Sequence, residues 1–204
     1  MMATDCLASY GSLARFRNER RMHPVGTHTV LGAGGDISDY QYVQHLMDQL
    51  MTEENYYDDG HVLGAPHIYE YLCRIMYNRR SKVDPLWNSY IVGGVHKDER
   101  FLACVDLKGS TYKSNTLATG FGAHLAQPIL RRRAEGREDE LTEEEAKDII
   151  EECMRVLFYR DARSLNKIQV STITKDGAKI SEPYSLSTEW GFAESVRGYG
   201  SQRV

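Results

Sequence analysis

The order of helix and strand signals along the chain constrains its fold more than any other feature. An initial strand region is followed by two segments with helical periodicity, a meander of strands, two more helical segments and a final hairpin. One sheet with all helices on one face would leave its other face bare. Two stacked antiparallel sheets, each with a helix pair outside, would bury every apolar face. The order therefore predicts an α+β fold, a four-layer αββα sandwich.

The first half of the chain contains a strand followed by two helices. THTVLGAGGD (residues 27–36) predicts a strand that ends in a glycine turn. Ser38 and Gln41 have the spacing of a capping box and predict the start of the first helix. NYYDDG (residues 55–60) predicts its end, and Pro66 suits the first turn of the second helix.

The middle of the chain carries the strand signals. LWNSYIVGGV (residues 86–95) and RFLACVDL (residues 100–107) predict a hairpin, and STYK (residues 110–113) predicts a short third strand. GFGAHLAQPILRR (residues 120–132) has a helical pattern. Pro128 is expected to bend or interrupt that helix, because proline lacks the N–H that an interior helical position donates.

The last helix and the last hairpin have the strongest local signals. Thr142 and Glu145 form a capping box at the start of the helix. One face of this helix is apolar and consists of Ala146, Ile149, Ile150, Cys153, Met154 and Leu157. NKIQVSTITKDGAKI (residues 166–180) alternates and turns at Asp176 and Gly177, a strong hairpin signal.

Composition excludes several classes of function. The length of 204 residues fits one domain, and the formal net charge of −4 argues against a nucleic-acid binder. No apolar run approaches the roughly 20 residues of a membrane helix, and no signal peptide is evident. The four cysteines form no CxxC pair, so we expect reduced thiols. His23 with His28, and His61 with His67, are interpreted as separate residues, and the sequence indicates neither a metal site nor a cofactor site.

The C-terminal segment, TEWGFAESVRGYGSQRV (residues 188–204), lies beyond the expected sandwich domain of residues 1–187. It is too rich in large apolar side chains for a disordered end: Trp190, Phe192, Val196 and Tyr199. We expect a short helix near residues 192–197 and then an extended arm that contacts another chain. Whether Trp190 instead packs on its own domain is left open by the sequence.

Six segments together resemble one family. The chain resembles the β subunits of the eukaryotic proteasome core particle, most closely the non-catalytic seventh type in its fungal form. The resemblance implies the αββα fold of N-terminal-nucleophile hydrolases and spans the chain. The segments are DCLASYGSLARF (5–16), GGDISD (34–39), MYNRRSKVDPLWN (76–88), LATGFGAHLAQPILR (117–131), MRVLFYRDARS (154–164) and WGFAESVRGYGSQ (190–202).

The resemblance also assigns positions of a former active site. Active members use an N-terminal Thr whose hydroxyl attacks the peptide carbonyl, supported by a Lys, an Asp that holds the Lys, a Ser-Gly pair and an Asp-x-x-Ser. Asp5 falls on the Lys-holding Asp, and Arg21 falls where the Lys belongs. The other matching positions are Thr119 with Gly120 for Ser-Gly, and Asp161 with Ser164 for Asp-x-x-Ser.

Two departures from the pattern predict that this chain is not itself a peptidase. The nucleophile has no counterpart, since Thr4 directly precedes Asp5 whereas the family's Thr opens an earlier strand. That first strand is expected to lie upstream of residue 1. A guanidinium at Arg21 stays protonated and cannot act as a tunable base, although it could pair with Asp5. Asp161 and Ser164 are expected to serve structure at the end of a helix.

The resemblance implies a non-catalytic structural β subunit that shapes the proteolytic chamber of a particle degrading ubiquitin-tagged and unfolded proteins. The implied partners are neighbouring β subunits, α-ring subunits, and β subunits of the opposite ring, the last contacted through Trp190 and Tyr199. The implied location is the cytoplasm and nucleus. Two alternatives remain open: an active threonine peptidase subunit whose N-terminal Thr is not shown, and a self-standing binding module.

Overall fold

The structure is a computed structural model that describes residues 1–198. The strands are β1 Met2–Asp5, β2 Ala8–Tyr10, β3 Leu13–Phe16, β4 Met22–Val25, β5 Thr29–Gly35, β6 Asn88–His96, β7 Glu99–Val105, β8 Thr111–Lys113, β9 Ile168–Thr174 and β10 Gly177–Ile180. The helices are α1 Ile37–Tyr57, α2 Ala65–Ser81, α3 Gly122–Ala134, α4 Glu143–Arg160 and α5 Glu194–Arg197.

Two antiparallel sheets form the middle layers of the molecule. The larger has the order β4-β5-β6-β7-β8, and the smaller has the order β1-β9-β10. The sheets face each other through contacts of β5 and β6 with β1, β9 and β10. Helices α1 and α2 cover the outer face of the larger sheet, whereas α4 packs on β1 and pairs with α3. This arrangement confirms the predicted αββα sandwich.

Alternation along the strands distributes side chains between the layers. Leu31 and Val92 belong to the buried cluster beneath α1 and α2. Their neighbours Val30 and Ile91 point the other way and pack in the cluster between the sheets. Met2 reaches this second cluster across the inner face of β6, and a Cβ atom at Gly93 would crowd the Met2 sulfur. Glycine is therefore required there for the close approach of the two sheets.

The start of α1 differs from the expectation. Asp36 is the N-cap, and its side chain accepts a hydrogen bond from the N–H of Asp39 at 2.9 Å. The predicted capping box of Ser38 with Gln41 is wrong, because the helix has already begun at Ile37. Aspartate caps a helix as well as serine does, and Asp36 is the residue that leaves β5 in an extended conformation.

Other predicted helix signals are confirmed. The capping box at α4 is present: Glu145 N–H donates to Thr142 Oγ1 at 3.2 Å, and Thr142 N–H donates to Glu145 Oε2 at 2.9 Å. Pro66 lies in the first turn of α2. Helix α3 continues through Pro128 to Ala134, so the proline does not interrupt it.

A large cavity opens between the sheets and the α3–α4 layer. Its volume is about 1170 Å³, and its lining is mainly apolar. Ile149 and Cys153 of the predicted apolar face of α4 are buried. Ile150, Met154 and Leu157 are only partly buried and line the cavity. The three-stranded sheet covers only part of the five-stranded sheet, and the cavity lies over the uncovered part.

Candidate functional site: a carboxylate–guanidinium pair beside the cavity

Asp5 ends β1 with its carboxylate engaged on both oxygens. Arg21 donates to Oδ1 through Nη2, and the N–H of Leu165 donates to Oδ2 at 3.2 Å. Arg21 also donates through Nη1 to the carbonyl oxygen of Ala33 at 2.7 Å. The two side chains are mostly buried, with exposed fractions of 13% for Asp5 and 19% for Arg21. The pair therefore ties β1 to β5 and to the turn that follows α4.

Asp161 and Ser164 are occupied by the end of α4. Asp161 is the C-cap residue, and its Oδ1 accepts a hydrogen bond from the N–H of Arg163 at 2.9 Å. The Ser164 hydroxyl lies 2.7 Å from the Asp161 carbonyl oxygen, to which it donates. These bonds satisfy backbone groups where a helix passes into the strand β9. The geometry supports the structural interpretation of both residues.

Thr119 and Gly120 lie in the connection between β8 and α3. The carbonyl oxygens of Thr119 and Gly120 accept from the N–H groups of Gly122 and Ala123 at 3.1 and 3.2 Å. Gly120 has a φ of 60°, a left-handed conformation that favours glycine. Thr119 Oγ1 lies beside Gly34 of β5. The turn thus approaches the end of β5 that also receives Arg21.

All six predicted positions lie in the wall of the large cavity: Asp5, Arg21, Thr119, Gly120, Asp161 and Ser164. They are up to 159 residues apart in the sequence. None of the six is a lysine, and the Arg21 guanidinium is already paired with a carboxylate. A guanidinium is always charged and cannot serve as a base, so Arg21 holds the Asp5 carboxylate in place.

The neighbouring hydroxyl of Thr4 and the thiols of Cys6 and Cys153 are buried. The amine of Thr4 lies within a peptide bond, and its hydroxyl is buried without a hydrogen-bond partner. Burial, together with the carboxylate of Glu152, raises the pKa of the Cys153 thiol to about 11. Burial and the charge of Asp5 likewise raise the pKa of the Cys6 thiol. Both thiols are therefore protonated at neutral pH and unreactive.

The backbone supplies two site partners that the sequence did not reveal. The Leu165 N–H and the Ala33 carbonyl oxygen complete the bonds of the Asp5–Arg21 pair. No side-chain pattern identifies such groups, because every residue carries them.

The C-terminal segment begins by packing on α4. The Trp190 ring meets Tyr159 and Phe158 at centroid distances of 5.0 and 5.8 Å, and it stacks on Phe192 at 6.2 Å. Trp190 remains 39% exposed. The expected short helix is present as α5, whereas Tyr199, the other predicted inter-ring contact, lies outside the described residues.

Within residues 1–198, no three histidine, cysteine, aspartate or glutamate side chains are arranged to hold a metal ion. No helix in the same range has the length and hydrophobicity needed to cross a membrane. All four cysteines are free thiols, as the sequence predicted.

Comparison with known proteins identifies the family. A family model described as "Proteasome subunit" matches residues 1–173. The chain is 51% identical to "Probable proteasome subunit beta type-7" of Schizosaccharomyces pombe, over 100% of this chain and 79% of that protein. It is 44% identical to "Proteasome subunit beta type-7" of Saccharomyces cerevisiae (100% and 80%) and 46% identical to "Proteasome subunit beta type-4" of Xenopus laevis (98% and 82%). The chain therefore belongs to the proteasome subunit family.

Proposed function

We propose that this chain is a non-catalytic, structural β subunit of the proteasome core particle. The Asp5–Arg21 pair is the observation that carries the proposal. The resemblance places a catalytic lysine at position 21, and here a guanidinium with two engaged nitrogens occupies that position. In this reading the former catalytic positions hold β1, β5 and the end of α4 together.

The partners follow from this role. The subunit would lie between two neighbouring β subunits, against an α ring on one side and a second β ring on the other. Its contribution would be to shape and close the chamber in which other subunits cut ubiquitin-tagged and unfolded proteins. The expected location is the cytoplasm and the nucleus. The identity with β subunits over nearly the whole chain supports this assignment.

The open edge of β1 is part of the same proposal. Within residues 1–198, β1 pairs only with β9, and residues 1–5 line the cavity. We propose that an extended upstream segment adds to this edge and covers the inner faces of β7 and β8. Such a strand would cover apolar surface of the cavity and would pair with the open edge of β1. An unpaired strand edge otherwise favours aggregation.

A covalent probe tests the proposal. A peptide carrying an electrophile that reacts with N-terminal threonine is added to purified native particles, and the labelled subunits are identified by mass spectrometry. We expect label on other β subunits and none on this chain. Label on an N-terminal threonine of this chain's mature form would establish the alternative, an active peptidase subunit.

The Asp161→Asn variant gives an independent readout. Asparagine keeps the oxygen that accepts the Arg163 N–H but removes the charge that a catalytic Asp-x-x-Ser requires. Particles with this variant should therefore retain every peptidase specificity at normal yield. Complete loss of one specificity, with assembly unchanged, would contradict a structural role. Elution of the native protein near 23 kDa would instead favour a self-standing binding module.

A further inference from the structure

Three histidine rings meet at the start of α2. The ring of His67, in the first turn of α2, makes edge-to-face contacts with His61 at 5.6 Å and with His96 at 5.1 Å between ring centroids. His61 lies in the α1–α2 loop, and His96 is the last residue of β6. These three residues are called the histidine cluster below. The spacing of His61 and His67 had suggested separate residues, whereas the structure places them in contact.

His67 must be neutral to make its hydrogen bond. Its Nδ1 accepts the backbone N–H of Gly64, the N-cap residue of α2, at 3.1 Å. A backbone N–H can only donate, so Nδ1 must carry a lone pair. A proton on Nδ1 would place a donor against a donor and would leave the Gly64 N–H without its partner.

The surroundings of His96 disfavour positive charge. Burial lowers the pKa of His96, and the neighbouring His67 and Lys97 lower it further, while Glu99 acts in the opposite direction. The cluster also lies at the N-terminus of a 17-residue helix, where the helix dipole is positive. Protonated imidazoles are therefore repelled both by one another and by the end of α2.

The third ring is held by acidic partners. His61 Nδ1 lies 2.6 Å from Glu54 Oε1 on α1, and the backbone N–H of His61 donates to Asp59 Oδ1 at 2.9 Å. The Glu54 carboxylate joins the His61 ring to α1, whereas the bond to Asp59 lies within the loop. The charge-sensitive contacts are therefore those between His67, His96 and Gly64.

The His96 ring packs against the start of α2. A Cβ atom at Gly64 would collide with this ring, which therefore rests directly on the N-cap backbone. Ala65, the next residue, is fully buried against Gly94 of β6. Charge repulsion between His67 and His96 would therefore act directly on the contact between the first turn of α2 and β6.

We propose that the histidine cluster is an acid-sensitive latch between α2 and the end of β6. Above the range in which imidazole titrates, neutral rings close the contact and His67 caps α2. As pH falls through that range, protonation removes the cap acceptor and charges the adjacent rings. The α1–α2 loop and the first turn of α2 then detach, while the sandwich core stays folded.

Hydrogen–deuterium exchange of the intact protein at pH 7.5 and 5.5 tests the latch. After correction for intrinsic exchange rates, we expect protection of residues 64–70 to fall about tenfold at pH 5.5, since the ordinary imidazole pKa is about 6.5. Protection in α4 should not change. An unchanged protection of residues 64–70 would overturn the proposal.

Two variants separate His67 from general effects of acid. In His67→Gln, the amide oxygen can accept the Gly64 N–H without titrating, so the pH response should disappear. The matched control, His124→Gln on the exposed face of α3, should keep the full response. If His67→Gln does not fold, His96→Gln serves instead, because it removes the adjacent charge and should weaken the response. A full response in the folded glutamine variant would overturn the latch.

Discussion

At the residue scale, the Asp5–Arg21 pair joins β1 to β5 through hydrogen bonds on both of its side chains. Both carboxylate oxygens of Asp5 have donors, and both terminal nitrogens of Arg21 have acceptors. A buried ion pair costs desolvation free energy, which is recovered only when its remaining polar groups are also bonded. This pair meets that condition at four atoms, whereas the buried Nε of Arg21 has no hydrogen-bond partner. Each partner therefore depends on the other.

Truncation of Arg21 should therefore destabilise the fold. Arg21→Ala leaves the Asp5 carboxylate mostly buried with one donor, the Leu165 N–H. Because loss of one partner strands a buried charge, we expect the free energy of unfolding to fall by about 3 kcal/mol. Urea unfolding followed by circular dichroism measures this change.

Arg20 provides the matched control. Its ion pair with Glu182 has side-chain exposures of 51% and 79%, and such pairs contribute below about 1 kcal/mol. Arg20→Ala should therefore have little effect. Equal effects of the two substitutions would remove the stabilising role assigned to Arg21.

At the element scale, the residues at a helix terminus fix the connection between the preceding strand and the helix. Asp36 is the single residue between the end of β5 and the start of α1, and it is the N-cap of the helix. The Asn88 side chain donates to the carbonyl oxygens of both Gly34 and Asp36, at 3.2 and 2.7 Å. The strand-to-helix turn is thus fixed by a cap on one side and by β6 on the other.

Substitution of the two candidate caps distinguishes them. Asp36→Ala removes the acceptor of the Asp39 N–H, and we expect a loss of about 1 kcal/mol in the free energy of unfolding. Ser38→Ala changes an exposed residue inside α1 and should cost less than about 0.5 kcal/mol. Thermal unfolding of both variants provides the measurement, and a larger effect at Ser38 would restore the original capping assignment.

Local signals account for what the sequence could predict at this scale. The α4 capping box, Pro66 and the last hairpin each depend on a few adjacent residues, and all three are confirmed. The predicted position of the hairpin turn is wrong by one residue, since Lys175 and Asp176 form the turn and Gly177 already pairs with Thr174 in β10. The cap of α1 was missed because both Asp36 and Ser38 are good caps. The choice depends on where β5 stops pairing with β6, which is a tertiary property.

The sequence predicted the residues of the candidate site and the pairing of Arg21 with Asp5, but not the backbone groups that bind this pair. The resemblance supplied the six positions, yet the bond from Leu165 to Asp5 joins residues 160 positions apart. His96 likewise reaches His67 only through the return of β6 beside α2. Such contacts between distant residues are fixed by strand order and packing. The periodicity of a sequence predicts individual helices and strands, but not their arrangement.

At the scale of the whole molecule, the unfilled cavity and the exposed aromatic side chains indicate a chain built for an assembly. The β2–β3 hairpin exposes Tyr10, Leu13 and Phe16, and the end of α2 is followed by exposed Val83 and Trp87. A cavity of about 1170 Å³ lined mainly by apolar atoms is much larger than the few small voids of a closed domain core. These features agree with the subunit role proposed above.

Removal of the C-terminal end should affect assembly more than folding. Residues 199–204 lie beyond the described chain, and the arm composition of residues 188–204 motivates the test. We expect the deletion variant to fold normally but to join half-particles more slowly. Native gels of half-particles and full particles measure this, and equal rates with equal salt resistance would exclude a role for these six residues.

Because Trp190 packs against aromatic rings, its fluorescence can report the association of this chain with other subunits. The sequence contains two tryptophans, and Trp87 is 65% exposed, whereas Trp190 is enclosed on two sides by Tyr159 and Phe158. The indole of Trp190 should therefore emit at shorter wavelength than that of Trp87. With Trp87→Phe as background, the remaining emission reports the tail alone. A blue shift during mixing with partner subunits would record burial of the tail in real time, without an added dye.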